Sequence, residues 1–195
     1  PLEGPLVAQF QWLDAEANDL VLDFKDPAAR IGEVRVNGAS VAWEATHDHV
    51  VIPAEALTPG ARNRVDVAFE AGDDALNRNE EFLYTLFVPD RAHFSLPLFD
   101  QPNLKARFSL TLDVPEGWVA VANGAVSDQT GPGVTGSPAA ARGTTYRFTQ
   151  TEPIPTYLFA FAVGDFQIDV AQGVETAAIA LAELANADLQ WNSPF

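Results

Sequence analysis

Polar and apolar positions alternate along Asn18–Phe24: Leu20, Leu22 and Phe24 fall on one face, Asp19, Val21 and Asp23 on the other. A period of two is that of a β-strand with one covered face. Glu33–Val36 repeats the pattern and runs into Asn37-Gly38, a pair suited to a tight hairpin because both residues tolerate positive φ. Val41–Trp43, His49–Ile52 and Arg64–Phe69 continue the series, with Pro59-Gly60 as the turn before the last. An acidic, strand-poor connection spans Glu70–Glu81. Further strands are predicted over Phe82–Val88, Ala106–Val114, Trp118–Ala122, Thr144–Gln150, Tyr157–Val163 and Asp165–Val170, with a second hairpin turn at Asn123-Gly124. Ser127–Gly143 offers almost nothing to bury and reads as a mobile surface loop. Tyr157–Val163 is apolar at nearly every position, which predicts a central strand covered on both faces.

Many short strands punctuated by turns predict an all-β fold, a sandwich or saddle-like stack of mostly antiparallel sheets. The tail changes character: Glu175–Leu189 is rich in alanine and leucine, the best helix formers, and predicts a short C-terminal helix. The expected division is an all-β domain over 1–171 and a helical tail over 172–195.

The chain has 195 residues, 47% of them hydrophobic, enough for a core that needs no disulfide or metal. With no cysteine, disulfides say nothing of the compartment. A formal charge of −16 repels phosphate backbones and anionic headgroups, so no nucleic acid or membrane partner is expected. No run reaches the ~18 apolar residues of a spanning helix, and Pro1–Pro5 has no signal-type apolar core after it. The chain lacks methionine, so it is expected to begin at a processed or engineered boundary, or after residues missing from the sequence. We expect a soluble protein of bacterial origin, cytoplasmic or exported.

Candidate chemistry is sparse. His47 and His49 share a face of a predicted strand with Asp48 opposite, but a zinc site needs further ligands, from His93 or a carboxylate. Polar residues at a strand end explain them better, and no metal site is expected in this chain. No histidine is followed by glutamate, so no H-E-x-x-H is present, and there is neither cysteine nor a G-x-S-x-G elbow. Gly131–Ser137 lacks the lysine and helix of a phosphate loop. Carboxylate pairs are numerous; Glu80, Glu81, Asp90 and Arg91 bracket one predicted strand and form a possible shared rim.

Two segments are more specific. Phe82–Phe108 contains Pro97, Phe99, Asp100, Pro102, Lys105, Ala106 and Phe108 in the order of the motif P-C-F-D-E-P-x-x-K-A-x-F, and Tyr146–Phe166 follows F-x-x-T-x-P-[MI]-x-[TS]-Y-L-x-A-F-x-x-G-x-F. Between them stand Trp118 and Asn123-Gly124. From Phe82 to Phe166 the chain resembles the N-terminal domain of the aminopeptidase N family of zinc metallopeptidases. The resemblance implies an all-β domain packed on a catalytic domain of the same polypeptide. Zinc there is held by an H-E-x-x-H helix and a later glutamate, outside this chain, and the full-length protein hydrolyses peptides from the N-terminus. This chain alone should be inactive. Matched without gaps, the family's amine-binding glutamate falls on Val88, its partner glutamine on Leu86, and its Arg, Cys and second acidic residue on His93, Leu98 and Gln101. Substrate-binding candidates are therefore Glu80, Glu81, Val88, Asp90 and Arg91, with Asp90, Glu80 or Glu81 replacing the missing carboxylate. Asp100 reads as structural, accepting backbone or Lys105 donors.

The alternative is a stand-alone β-sandwich binding module for carbohydrate or protein, with Trp12, Trp43, Trp118 and Trp191 as stacking platforms. A third possibility is a structural domain whose partner is the rest of its polypeptide.

Overall fold

The computed structural model describes residues 2–13, 18–132, 143–172 and 178–184. In chain order the strands are β1 (Leu2–Gln11), β2 (Leu20–Asp23), β3 (Ile31–Val36), β4 (Ala39–Ser40), β5 (Glu44–Thr46), β6 (His49–Ile52), β7 (Arg62–Ala71), β8 (Leu76–Arg78) and β9 (Phe82–Thr85). They continue with β10 (Thr111–Pro115), β11 (Val119–Ala122), β12 (Val126–Thr130), β13 (Gly143–Phe148), β14 (Phe161–Gly164), β15 (Phe166–Gln172) and β16 (Ala178–Leu184). One short helix, α1 (Pro27–Arg30), precedes β3. Pairing is antiparallel among the described strands, as alternating patterns and short connections favour. The fold is all-β.

The chain divides into two compact units built from interleaved segments. The first takes residues up to 77, then 85–106 and 153–159; the second takes 78–84, 107–152 and the described residues from 160 onward.

In the first unit, a four-stranded sheet of order β1-β7-β3-β4 and a three-stranded sheet of order β2-β6-β5 enclose one core. Leu20, Leu22 and Phe24 meet Val50 and Ile52 from one sheet, and Val34, Val36, Val65 and Val67 from the other. Each is at most 2% exposed. Burying such a side chain stabilises the fold by about 1.5–3 kcal/mol. Asn37 and Gly38 have φ of 52° and 89°, and Val36 pairs with Ala39, so the β3–β4 turn is the left-handed hairpin that the sequence predicts. Gly38→Ala would place a Cβ in that conformation, and we expect a loss of about 1 kcal/mol in urea denaturation.

The second unit contains sheets of order β10-β13-β12 and β11-β14-β9-β8, with β8 carrying the chain in from the first unit. β14 lies between β11 and β9, so Phe161–Gly164 is central as expected. Tyr157 and Leu158 instead form part of a 3₁₀ turn in the first unit.

Several sequence expectations are corrected. Asn123-Gly124 closes no hairpin: β11 pairs with β14 and β12 with β13, so the chain changes sheets there. Asn123 Oδ1 accepts the Ala160 N–H at 2.7 Å, and a Cβ on Gly124 would overlap the Thr149 carbonyl. The predicted loop from Ser127 begins as strand β12, although its middle, 133–142, lies outside the described residues. Across Ala178–Leu184 the structure has a strand paired with β15, not the expected helix. The residues alternate Ala-Ile-Ala-Leu-Ala and form no helical stripe, so pairing with a neighbour overrides alanine's helix propensity. The rest of that expected helix, 175–177 and 185–189, lies outside the described residues. His47 does not share a strand with His49: it sits in the β5–β6 turn with φ 53°.

Candidate functional site

Strand β2 ends at Asp23, and the alternation that buries Leu22 and Phe24 leaves the Asp23 carboxylate at the sheet margin. Asp23 bridges to Leu98 through paired backbone hydrogen bonds of 2.8 and 3.1 Å, which brings the Pro97–Pro102 motif alongside β2. There Asp23 Oδ2 accepts the Asp100 backbone N–H and the Gln101 side-chain amide, both at 2.9 Å. His49 Nδ1, on β6, lies 3.1 Å from Asp23 Oδ1, out of line for a hydrogen bond.

Asp100 itself is 6% exposed at its side chain. One oxygen accepts the His93 N–H at 3.1 Å and faces His93 Nδ1 at 2.7 Å; the other accepts the Thr156 hydroxyl at 2.5 Å. A buried carboxylate is stable only when its lone pairs are met by donors, and these three groups meet them. Asp100 is thus a clasp that ties the 3₁₀ turn Ala92–Phe94 to the 3₁₀ turn Thr156–Leu158. The sequence reading of Asp100 as structural holds, with different donors: the backbone of His93, its ring and Thr156 rather than Lys105, which is exposed.

The five substrate-binding candidates occupy two units. Glu80 and Glu81 are exposed in the second, just before β9; the Glu81 N–H bonds Asn79 Oδ1 at 2.8 Å. Val88, Asp90 and Arg91 are in the first, in a turn beyond the end of β9 that contains a cis Val88-Pro89 peptide. The strand predicted to Val88 stops at Thr85. Val88 is 64% exposed beside Leu86 at 43%. Arg91 is held down: its guanidinium lies 5.5 Å from the Phe94 ring and donates to the Asp74 carbonyl. Lys25 Nζ sits 4.7 Å from the same ring and 2.9 Å from Asp74 Oδ2. Among the described residues no donor meets the Asp90 or Glu80 carboxylates.

The described residues do not fit zinc. No three His, Asp or Glu side chains gather among them, His93 faces Asp100, and His49 faces Asp23. Nor do the described tryptophans offer open platforms: Trp12 and Trp43 pack against the core of the first unit, and Trp12 meets Phe10 edge-on at 6.2 Å. Trp118 is half-buried, and Trp191 lies outside the described residues. No helix among the described residues is long and apolar enough to cross a membrane.

Ion pairs set the acid response. The Lys25 ammonium, with Arg30 and Arg91 farther off, holds the Asp74 carboxyl below its ordinary 3.8. Arg64 does the same for Asp66, and Arg35 with Ser40 for Glu33. With folded values below unfolded ones, these groups contribute fully above the ordinary carboxylate range, and the contribution is lost as pH falls through the depressed folded values. The pairs are largely exposed, so the effect is small. The melting temperature should hold steady down to about pH 4 and decline below it, with a shallower decline in Asp66→Asn, measured by circular dichroism.

Sequence reasoning missed Asp23 as a partner of the proline motif, because the contact joins segments far apart in the chain. Thr156 stood in the second motif without any visible role.

Comparison with known proteins agrees with this architecture. The peptidase M1 N-terminal domain matches residues 14–158. Aminopeptidase B of Rattus norvegicus is 32% identical over 101 residues, 51% of this chain and 14% of that protein. Aminopeptidase N of Streptomyces lividans is 28% identical over 149 residues, 71% of this chain and 16% of its own length. An M1 zinc metallopeptidase from Deinococcus radiodurans superposes with a TM-score of 0.72 at 22% identity, covering 91% of this chain and 42% of that one. This chain therefore spans only a small part of its curated relatives. By its sequence match and by its fold, it belongs to the peptidase M1 N-terminal domain family.

Proposed function

We propose that this chain is the non-catalytic N-terminal domain of a zinc-dependent aminopeptidase, in which it walls the active-site cleft and limits access to peptide ends. The observation that carries this reading is the family match over residues 14–158, together with relatives that are aminopeptidases. The described chemistry supports it: the Asp100 and Asp23 carboxylates are engaged in holding segments together, which suits a scaffold. Zinc and the water that attacks the scissile carbonyl belong, in this reading, to a catalytic domain of the same polypeptide, with a peptide as substrate.

Within this reading, the turn carrying Val88, Asp90 and Arg91 faces substrate, with Glu80 and Glu81 as further candidates. Val88 replaces an amine-binding carboxylate, and the carboxylates of Asp90 and Glu80, which meet no donor among the described residues, are candidates to take its place. In the polypeptide encoded by the complete reading frame, peptides with a free N-terminus should be trimmed and their N-acetylated forms should not. Asp90→Ala or Glu80→Ala should weaken binding of an amino-acid amide about tenfold, the scale of one lost charge-assisted contact. Unchanged affinity in both variants would remove these residues from the site, and equal cleavage of acetylated peptides would refute the aminopeptidase reading.

A further inference from the structure

Strand β1 is an open edge. It pairs with β7 over ten residues without a bulge and, among the described strands, has no partner on its other side. Its backbone orientation follows from β7. The Arg64 N–H donates to Asn37 Oδ1 and its carbonyl accepts the Asn37 N–H, so Arg64 faces β3. Backbone groups alternate sides along a strand, so Asn63, Val65 and Val67 face β1 and meet Phe10, Ala8 and Leu6. The Trp12 N–H, bonded to the Ala61 carbonyl, has the same parity. Glu3, Pro5, Val7, Gln9 and Gln11 therefore aim their backbone groups outward, and the residue that lacks an N–H, Pro5, falls in this set.

Natural edges are blunted by charge, proline or bulges. Here the protection ends at Pro5: Leu6–Gln11 carries no charge, no proline and no bulge. Val7, at the middle of the strand, is 44% exposed. The exposed face is also polarised. Glu3 lies opposite Glu70 at one end; Gln9 and Gln11 lie opposite Arg64 and Arg62 at the other.

We propose that the outer edge of β1 is a self-association surface, on which two copies of this chain pair β1 antiparallel about a two-fold axis at Val7. The four-stranded sheets then join into one. Val7 bonds Val7 of the second copy through both backbone groups, and Glu3 bonds Gln11. The Gln9 N–H reaches the Pro5 carbonyl, so only the Gln9 carbonyl lacks a donor. The two-fold axis brings the acidic Glu3–Glu70 end of each copy against the basic Gln11–Arg62 end of the other, roughly two strand spacings or ~10 Å from Glu3 to Arg62. A chain of charge −16 can meet its own copy only where the charge is low or self-complementary, and this strip is both. The inference is independent of the peptidase reading.

Sedimentation equilibrium on the chain tests it. The mass should rise with concentration from 21.0 kDa toward 42.0 kDa, twice 21.0. Val7→Lys sets like charges side by side across the axis and should weaken association at least about tenfold. Gln9→Pro, which removes one bonded N–H while leaving the pairing with β7 intact, should weaken it too, and it serves if Val7→Lys fails to fold by circular dichroism. Glu3→Arg and Arg62→Glu should each weaken the dimer, and the two together should restore it. A chain that stays at 21.0 kDa into the millimolar range, or a dimer indifferent to Gln9→Pro and Val7→Lys, would overturn the proposal.

Discussion

Phe24→Ala is expected to destabilise the chain by about 3–5 kcal/mol, the largest effect of any single truncation in the first unit. Phe24 is wholly buried, packs edge-on against Phe69 at 6.0 Å, and stands where the β2–β6–β5 sheet meets the β1–β7–β3–β4 sheet. Its removal forfeits the transfer energy of the ring and leaves a cavity inside a core cluster whose members, many of them β-branched, repack poorly. For a chain of this size the melting temperature should fall on the order of 10 °C. The control is Val21→Ala, on the opposite face of the same strand and 41% exposed, which should shift stability by less than about 0.5 kcal/mol. Equal losses in the two variants would mean that β2 does not present the face described.

Asp100→Asn should cost about 2–3 kcal/mol in urea denaturation even though it preserves size and shape. The amide keeps one acceptor oxygen and loses the charge, so either the Thr156 hydroxyl must turn from donor to acceptor or the paired His93 donors face an N–H₂. Thr156→Val, which removes a single donor, should cost about 1 kcal/mol. The two losses should not add, because both break the same clasp, and a double-mutant cycle reads that coupling. Additive losses would show that Asp100 and Thr156 act separately. The same substitutions should disturb the turn from Leu86 to Arg91, since the clasp anchors the Ala92–Phe94 turn that follows it.

What the sequence disclosed, and what it withheld, follows from the range of each interaction. The strand of Leu20, Leu22 and Phe24 was legible because alternation is local, and the Asn37-Gly38 turn because positive φ selects those residues. Strand β1 was not legible: Gly4 and Pro5 interrupt a weak alternation, and no residue in it is fully buried. Strand β12 is hidden for a related reason, since Val126, Ser127, Asp128 and Gln129 are all exposed and leave no apolar face to read. The division into two units joins segments more than 50 residues apart, a non-local property that hydrophobic periodicity does not encode. The motif containing Asp100 was recognisable, but its partners were not, because Thr156 and Asp23 come from distant parts of the chain. Val88 was visible as a departure from the family pattern; only the structure shows that it lies past the end of β9 in an exposed turn.

Metal dependence tests the central claim most directly. The polypeptide encoded by the complete reading frame and the 195-residue chain would be purified in parallel, analysed for zinc and assayed for release of N-terminal residues. The expected result is one zinc per complete polypeptide, activity lost to a chelator and regained with zinc, and neither metal nor turnover in the shorter chain. Zinc-dependent turnover by the 195-residue chain itself, or a complete polypeptide that cleaves without metal, would contradict it.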